Sequence, residues 1–386
     1  MKTTKFLLAI ATVAAIFVSC ADDDTANVTI NNNGGGGSTI GSNALVIGGT
    51  LTDDLTLVRG TEYILDRALF VQDGITLTIE PGVVVSALPG SDVFVAVEQG
   101  GVINAEGTAT DPIVFTSATA SPEAGDWGGL IILGRAPINS VAGGDAISTS
   151  EIAGLPYGGT IQDDNSGILR YVRVEYSGGA ANAAAENNGF SFYAVGNGTT
   201  IEFIQAFQGA DDGVEFFGGN VDVSYVSVVG AEDDSVDWTE GYTGSITNVY
   251  IEHRGSHDRG IEADGFNTDI GNLSDPVFWS APTVTNVTVV GSDDSQQAIL
   301  LRAGTRATIT NVLLEDFEQG VNFGDAETGV GVLAGETSVT DITFNNIIMN
   351  FNNATGAAFD EADVISGIGN GIGAEYDTWN AGWTQE

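Results

Sequence analysis

The fold of this chain is decided by two stretches of sequence, residues 199–220 (TTIEFIQAFQGADDGVEFFGGN) and residues 221–242 (VDVSYVSVVGAEDDSVDWTEGY). Each stretch contains short runs of alternating β-branched or aromatic residues that are separated by Gly or Asp turns. Alternation with a period of two predicts strands, and runs this short argue against helices. Related units follow at residues 243–265, 281–304 and 305–325, so the chain is built from a repeat.

Short strands that recur in units of this length are typical of a solenoid, in which each unit forms one coil. We therefore predict an all-β fold for residues 44–386, a right-handed parallel β-helix with about three short strands per coil and about 4.8 Å between coils. Strand edges at the end of such a solenoid have to be covered. Phe359, Trp379 and Trp383 are candidates for this cap, with packing in the core as the alternative.

The composition of the chain excludes several functions. Its 386 residues include 52 acidic and 11 basic side chains, which gives a net charge of −41. Binding to nucleic acid needs a basic surface, so no nucleic-acid partner is expected. The single Cys excludes an intrachain disulfide and a Cys-rich zinc site. A hydrophobic content of 42% is too high for a disordered acidic chain, so a packed core is expected.

The N-terminus has the features of an export signal. Two Lys residues precede an apolar run at residues 6–18, which is too short to remain as a membrane span. Residues 17–20 (FVSC) resemble a bacterial lipobox. The resemblance implies a lipoprotein signal peptide at residues 1–19 and lipidation of Cys20, which would anchor the protein in a lipid membrane. An ordinary secreted protein with one free Cys is the alternative.

A flexible tether is predicted at residues 20–43, because this Asn-rich and Gly-rich segment cannot bury enough apolar surface to fold. Its residues 21–24 (ADDD) resemble the acidic export signal of surface lipoproteins in Bacteroidota. The resemblance implies a location in the outer membrane, exposed at the cell surface. Thr25 lies in Asp-Thr-Ala, which matches a short O-glycosylation pattern of the same phylum, and is therefore a candidate for glycosylation.

Six stretches of the domain carry motifs of a known family: residues 77–82 (LTIEPG), 100–115 (GGVINAEGTATDPIVF), 126–132 (DWGGLII), 210–219 (ADDGVEFFGG), 233–241 (DDSVDWTEG) and 258–264 (DRGIEAD). They resemble bacterial β-helix surface lipoproteins, which are common in Bacteroidota. That family has no settled activity, so the resemblance implies a fold and a location more than a function.

Three carboxylates are predicted to follow one face of the solenoid. Since the apolar residues beside them point into the core, Glu215, Asp237 and Glu262 point outward on successive coils, about 5 Å apart. Like charges at this distance oppose ionisation. These groups must therefore bind a cation, pair with Arg or keep a raised pKa.

A second series of acids falls in the turns that precede these strands. Clusters made only of oxygen ligands suit Ca²⁺, which takes six to eight of them. A structural role is the alternative, because Asp side chains accept hydrogen bonds from the backbone of their own turns. The candidate metal ligands are Asp211, Asp212, Asp233, Asp234, Asp293 and Asp294.

Two catalytic hypotheses stay open. The first is glycoside hydrolysis by a pair of carboxylates. The order of the acids, His257 and Arg302 along the chain is similar to that in polygalacturonases. The chain departs from that pattern in two places, because His257 lies in Ser-His-Asp and Ala303 follows Arg302. The second is a Ca²⁺-dependent lyase, in which Arg would have to remove a proton although it is a poor base. The candidate catalytic residues are Glu215, Asp237, Glu262, His257 and Arg302.

The sequence therefore favours a surface-anchored binding module over an enzyme. We expect adhesion or scaffolding, with a polysaccharide, a divalent cation or another envelope component such as a surface protein as the partner. A polysaccharide-degrading hydrolase or lyase is the alternative. A passive acidic coat protein is a third hypothesis.

Overall fold

A computed structural model describes residues 44–140, 147–182, 185–268, 276–292 and 294–386. Strands dominate these residues, and 22 of the strands belong to one continuous hydrogen-bonded ladder. The pairings within this ladder are parallel, for example between β13 (Phe190–Tyr193) and β15 (Val214–Phe217). The prediction of a right-handed parallel β-helix is confirmed.

The strands lie between Leu45 and Ser366. In chain order they are β1 (Leu45–Leu51), β2 (Leu55–Leu57), β3 (Tyr63–Val71), β4 (Thr76–Ile79), β5 (Val84–Ala87), β6 (Val95–Val97), β7 (Val102–Glu106), β8 (Ile113–Ser117), β9 (Leu130–Leu133), β10 (Ile147–Thr149), β11 (Pro156–Gly158), β12 (Gly167–Glu175), β13 (Phe190–Tyr193), β14 (Thr200–Phe207), β15 (Val214–Phe217), β16 (Val223–Val229), β17 (Val236–Thr239), β18 (Ser245–Glu252), β19 (Arg259–Asp264), β20 (Thr283–Val290), β21 (Gln297–Arg302), β22 (Thr308–Phe323), β23 (Ser338–Asn353) and β24 (Ile365–Ser366).

In the part of the chain that the structure describes, helical structure is sparse and lies near the C-terminus. It comprises α1 (Ala326–Leu333), α2 (Glu361–Val364) and a single 3₁₀ turn at Tyr376–Thr378. Among the described residues, no helix is long and apolar enough to cross a membrane.

Each coil contributes one strand segment to each of three parallel sheets. Sheet A contains β2, β4 and β7 and continues through the first halves of β12, β14, β16, β18 and β20. Sheet B contains β5 and β8 and continues through the second halves of the same long strands. Sheet C contains β6, β9, β13, β15, β17, β19 and β21. The prediction of about three short strands per coil is confirmed.

The core lies inside the coils and is built by alternation along each strand. In sheet C, Val214, Phe216, Val236 and Trp238 point inward and are at most 1% exposed. Aromatic residues stack from coil to coil, with 5.4 Å between the ring centroids of Phe192 and Phe216. Burial of this continuous apolar column is the main term that stabilises the solenoid.

The corner between sheets A and B is formed by one residue per coil in the left-handed backbone conformation. Aromatic residues occupy the earlier positions and stack, with 4.3 Å between the rings of Tyr171 and Phe203. Asn residues occupy later positions and form a side-chain ladder, since Asn286 donates to Asn248 and Asn311 donates to Asn286, both at 2.8 Å. Asn tolerates a positive φ better than most residues. The corner residues are Tyr171, Phe203, Tyr225, Asn248, Asn286, Asn311 and Asp341.

The C-terminal strap, residues 372–386, runs back along this corner. Trp383 is fully buried and packs edge-on against Tyr171 and Phe203, with centroid distances of 5.8 and 5.9 Å. Its carbonyl oxygen accepts a hydrogen bond from Arg173 at 2.8 Å. The core itself is closed by Phe359, which packs against Phe323. Phe359 belongs to the core cluster, so the cap interpretation and the alternative of core packing both fit it, whereas Trp379 and Trp383 pack along the corner.

An excursion, whose described residues are 134–140 and 147–165, lies outside the solenoid after β9 and contains the antiparallel pair β10–β11. It covers the outer surface of sheet C. Ile138 and Tyr157 from the excursion pack with Ile131, Tyr193 and Phe217 from the sheet, which forms a second apolar cluster outside the core. The excursion therefore lies beside the acidic residues of sheet C.

Candidate functional site

A row of polar side chains crosses the outer face of sheet C. Ser191, Glu215, Asp237 and Glu262 pair in register on β13, β15, β17 and β19. Their neighbours along each strand are core residues, so these four side chains point away from the core, as the alternation predicts. Glu215 and Asp237 are half-buried and Glu262 is buried.

The turns that lead into these strands add further acids. One carboxylate oxygen each from Asp212, Glu215 and Asp237 lie within 4.8 Å of one another. Asp211 and Asp233 form a second such group with Asp212. A third group consists of Asp233, Asp234 and Asp258. Residues from the turn series and from the strand row therefore meet in one acidic cluster.

Two of the turn residues also have a structural role. Asp212 Oδ1 accepts a hydrogen bond at 2.9 Å from the backbone N–H of Asp234, one coil further along. Asp234 Oδ1 accepts one at 2.8 Å from the backbone N–H of Arg259. These bonds stabilise successive turns, so the turn hypothesis and the ligand hypothesis both apply to these residues.

Arginine neutralises only one end of the carboxylate row. Glu262 forms ion pairs of 2.8 Å with Arg259 and with Arg302, and Arg302 also pairs with Asp264 at 2.6 Å. Within the described residues, no ion pair reaches Asp212, Glu215 or Asp237. The tricarboxylate centre, defined as Asp212, Glu215 and Asp237, is therefore a concentration of negative charge without a paired cation.

The carboxyl groups of the tricarboxylate centre have raised pKa values, because burial and mutual repulsion disfavour their ionised forms. Burial raises the pKa of Asp237 well above its usual range, and the charges of Glu215 and Glu262 add to the rise. Burial likewise raises the pKa of Asp212 and of Glu215 well above the usual range, although a hydrogen bond of 2.6 Å from Asn188 Nδ2 favours ionised Glu215. The Oδ1 atom of Asp237 is buried and has no hydrogen-bond donor among the described residues. An orphaned carboxylate oxygen is costly unless a proton or a cation occupies it.

Glu262 differs because burial and neighbouring charges have opposite effects on its pKa. Burial raises the pKa of its carboxyl group to about 7, while the charge of Arg302 opposes that rise. A group that titrates near neutral pH can donate or accept a proton under physiological conditions. Burial lowers the pKa of Arg302, but the hydrogen bond and charge of Asp264 outweigh it and hold that pKa above the usual range.

A comparison with protein families agrees with this fold. The family model described as a pectate-lyase-like β-helix domain matches residues 49–384. The chain belongs to this family. Comparisons with curated proteins and with solved structures found no match. Membership of the pectate-lyase-like β-helix family fits a role that is related to polysaccharides.

In this member of the pectate-lyase-like β-helix family, Glu240 fixes the cover over the site. It is 1% exposed and lies directly after β17. Its carboxylate accepts hydrogen bonds from Ser140 Oγ at 2.9 Å, Tyr157 Oη at 2.7 Å and Asn267 Nδ2 at 3.0 Å. Glu240 thereby ties the excursion and the loop after β19 to sheet C. The sequence prediction missed this residue, whose one signal was a Glu at the end of a repeat strand.

The remaining predicted residues lie elsewhere or outside the described part of the chain. His257 bonds Ser292 Oγ at 2.9 Å and Asp294 Oδ1 at 3.2 Å, and its ring stacks on His253 at 4.4 Å. Asp294 thus accompanies His257 and belongs to none of the three acidic groups among the described residues. The predicted residues outside the described part of the chain are Cys20, Thr25 and Asp293.

Proposed function

We propose that this protein binds an acidic polysaccharide through a divalent cation that the tricarboxylate centre holds. The observation that carries the proposal is the buried Oδ1 of Asp237, for which the described part of the chain supplies neither a hydrogen-bond donor nor a paired Arg. A cation at this point would relieve the repulsion and satisfy the orphaned oxygen at the same time.

The donor set fits a hard cation. Asp212, Glu215 and Asp237 offer only oxygen atoms, which Ca²⁺ prefers, and Ca²⁺ tolerates irregular geometry and several waters. Three carboxylates leave coordination positions open. Glu215 and Asp237 are half-buried, and the proposal requires that a carboxylate of an acidic sugar reach those positions from solvent. Arg259 and Arg302 lie at one end of the row, where both pair with Glu262.

The test is retention of the full chain on immobilised polygalacturonate with Ca²⁺ or with EDTA. We expect retention that needs Ca²⁺ and is lost in Asp237→Asn, which keeps the shape of the side chain but removes its charge. Glu232→Gln is the matched control, because Glu232 is an exposed acid on the same coil and is outside the three acidic groups. Equal retention in EDTA, or retention by Asp237→Asn, would contradict the proposal.

A glycoside hydrolase is the second candidate, and the pKa of Glu262 near 7 favours it. Asp237 and Glu262 are register partners on neighbouring strands, whose spacing of about 4.8 Å is close to the separation of about 5 Å between the two carboxyl groups of retaining enzymes. Asp237 would be the nucleophile and Glu262 the acid and base. A lyase with Arg302 as base is disfavoured, because the paired acids keep this Arg protonated. Release of reducing ends by the wild type, abolished in Glu262→Gln with Ca²⁺ affinity intact, would favour the hydrolase.

The proposed location depends on the sequence alone. Lipidation of Cys20 would place the binding face outside an outer membrane, at the end of a flexible tether. Expression with labelled palmitate tests this proposal. Label in the wild type and none in Cys20→Ala is the expected result, and an unlabelled wild-type protein recovered in the medium would contradict it.

A further inference from the structure

Two tyrosine rings join the C-terminal strap to the solenoid. Tyr250 on β18 and Tyr376 of the strap stack face to face, with 3.8 Å between their ring centroids and 5° between their planes. Trp379 packs edge-on against Tyr376, with 4.8 Å between the centroids, so this ring is held on two sides. The two tyrosines are far apart in the chain, and only the docked strap brings them into contact.

A second pair of tyrosines in this protein provides a comparison. The rings of Tyr157 and Tyr193 are 4.8 Å apart, but their planes are tilted by 53° and both residues are only 2% exposed. Tyr250 and Tyr376 are half-buried, so part of each residue meets solvent. The parallel pair therefore combines direct contact between two ring faces with access for a small dissolved molecule.

The phenol groups of the parallel pair have separate partners. Tyr250 Oη donates to Glu252 Oε2 at 3.0 Å, and Tyr376 Oη lies 3.1 Å from Ser227 Oγ. Burial raises the pKa of both phenols, and the charge of Glu252 raises that of Tyr250 further, so both are protonated at neutral pH. Removal of an electron makes a phenol strongly acidic. The Glu252 carboxylate is within reach of the proton that Tyr250 would then release.

We propose that Tyr250 and Tyr376 are a modification site at which a carbon–carbon cross-link fixes the strap to the solenoid. The co-reactants are two molecules of a one-electron oxidant, and each takes one electron from one ring. The phenolic proton of Tyr250 passes to Glu252, and that of Tyr376 passes to solvent. The two phenoxyl radicals couple through one carbon of each ring, ortho to the hydroxyl group. The hydrogens on these two carbons then move as protons to the phenolic oxygens, so the pair loses two electrons and two protons in total.

The parallel stack favours this step over other reactions of the radicals. Coupling of two phenoxyl radicals begins with contact between their ring faces, which is the arrangement that Tyr250 and Tyr376 already have. The single Cys excludes a disulfide within the chain, so the strap has no such covalent support. A cross-link between distant residues restricts the unfolded chain and thereby stabilises the native state, as a disulfide does.

Oxidation of the full chain with tris(bipyridine)ruthenium(III) tests the proposal. We expect dityrosine fluorescence in the monomer band of a denaturing gel, and a linked peptide pair that contains Tyr250 and Tyr376 in the mass spectrum after proteolysis. Tyr250→Phe keeps the stacked ring but lacks the phenol, so the linked pair should be lost. Tyr176→Phe is the matched control, because Tyr176 is also half-buried but its ring contacts Phe207 instead of another tyrosine.

Three results would overturn the proposal. The first is a wild-type protein whose tryptophans are oxidised while Tyr250 and Tyr376 stay unlinked. The second is an equal yield of intramolecular dityrosine in Tyr250→Phe and Tyr176→Phe. The third is an equal yield of the linked pair in protein unfolded with urea, which would show that the stacked arrangement has no part in the reaction. The proposed glycan binding is tested without an oxidant and through Asp237, so each proposal can fail while the other stands.

Discussion

Glu215 and Asp237 are register partners on neighbouring strands of sheet C, and one carboxylate oxygen of each lies within 4.8 Å of the other and of an oxygen of Asp212. Parallel pairing repeats at about 4.8 Å, so acids at equivalent positions of two repeats are forced into contact distance. Neither residue has an ion-pair partner among the described residues. The fold therefore holds together charges that would separate in the unfolded chain, and a cation or proton that bound there would stabilise the native state.

Stability without divalent cations should fall as pH rises from about 5 to about 8. Burial raises the native pKa of the tricarboxylate centre and brings that of Glu262 to about 7, whereas unfolded carboxyl groups titrate near 4. In this window the native state binds more protons than the unfolded state, so the free energy of unfolding decreases with pH. Thermal melts in EDTA check this; a midpoint that rises toward pH 8 would contradict it.

Calcium should reverse much of that loss. A ligand that binds only the native state stabilises it by about 2.7 kcal/mol at a hundred times its Kd. At pH 8 we expect millimolar Ca²⁺ to raise the melting midpoint of the wild type and of Glu232→Gln. In Asp237→Asn the Ca²⁺ response should be largely lost. An equal shift in all three proteins would mean diffuse binding to the acidic surface.

In EDTA, Asp237→Asn should melt at a higher temperature than the wild type at pH 8. The substitution removes one of three crowded charges and gives Glu215 an amide neighbour in place of a carboxylate. The gain should shrink toward pH 5, because the raised pKa values of the wild-type cluster favour its protonation as the pH falls. Differential scanning calorimetry at both pH values measures it, and a variant less stable than the wild type at pH 8 would show that Asp237 has a structural role.

Glu240→Ala should loosen the excursion over sheet C. The change removes three hydrogen bonds from a buried carboxylate and leaves a space, which costs about 2–4 kcal/mol. Amide exchange should rise in β10 and β11 and stay unchanged in sheets A and B, since those sheets do not contact the excursion through Glu240. Glu240→Gln keeps one acceptor and should show a smaller effect. Uniform exchange across all coils would contradict this account.

Trp383→Ala should release the C-terminal strap and destabilise the protein by about 3–5 kcal/mol, as for other buried Trp side chains. The rings of Tyr171 and Phe203 then become accessible, so binding of a hydrophobic dye should increase. Ile372→Ala is a control on the same strap, because Ile372 is 61% exposed. A melting midpoint equal to that of the control would show that the strap does not support the corner.

The sequence determined the solenoid and the row of acids on it. Strands of a β-helix pair with the repeat just before and just after them, so the contacts that define the fold are encoded by a local pattern. Alternation then fixes which side chains face outward, which is why Glu215, Asp237 and Glu262 could be placed on one face.

Only the tertiary structure decided which segments cover the outer face of sheet C and the corner between sheets A and B. Tyr157 reaches Glu240 across 83 positions, and Arg173 reaches Trp383 across 210. Such contacts join segments that share no repeat pattern, and they depend on the shapes of surfaces that exist only after the coils have stacked. For the same reason, the pairing of His257 with Ser292 and Asp294 was not visible in their spacing along the chain.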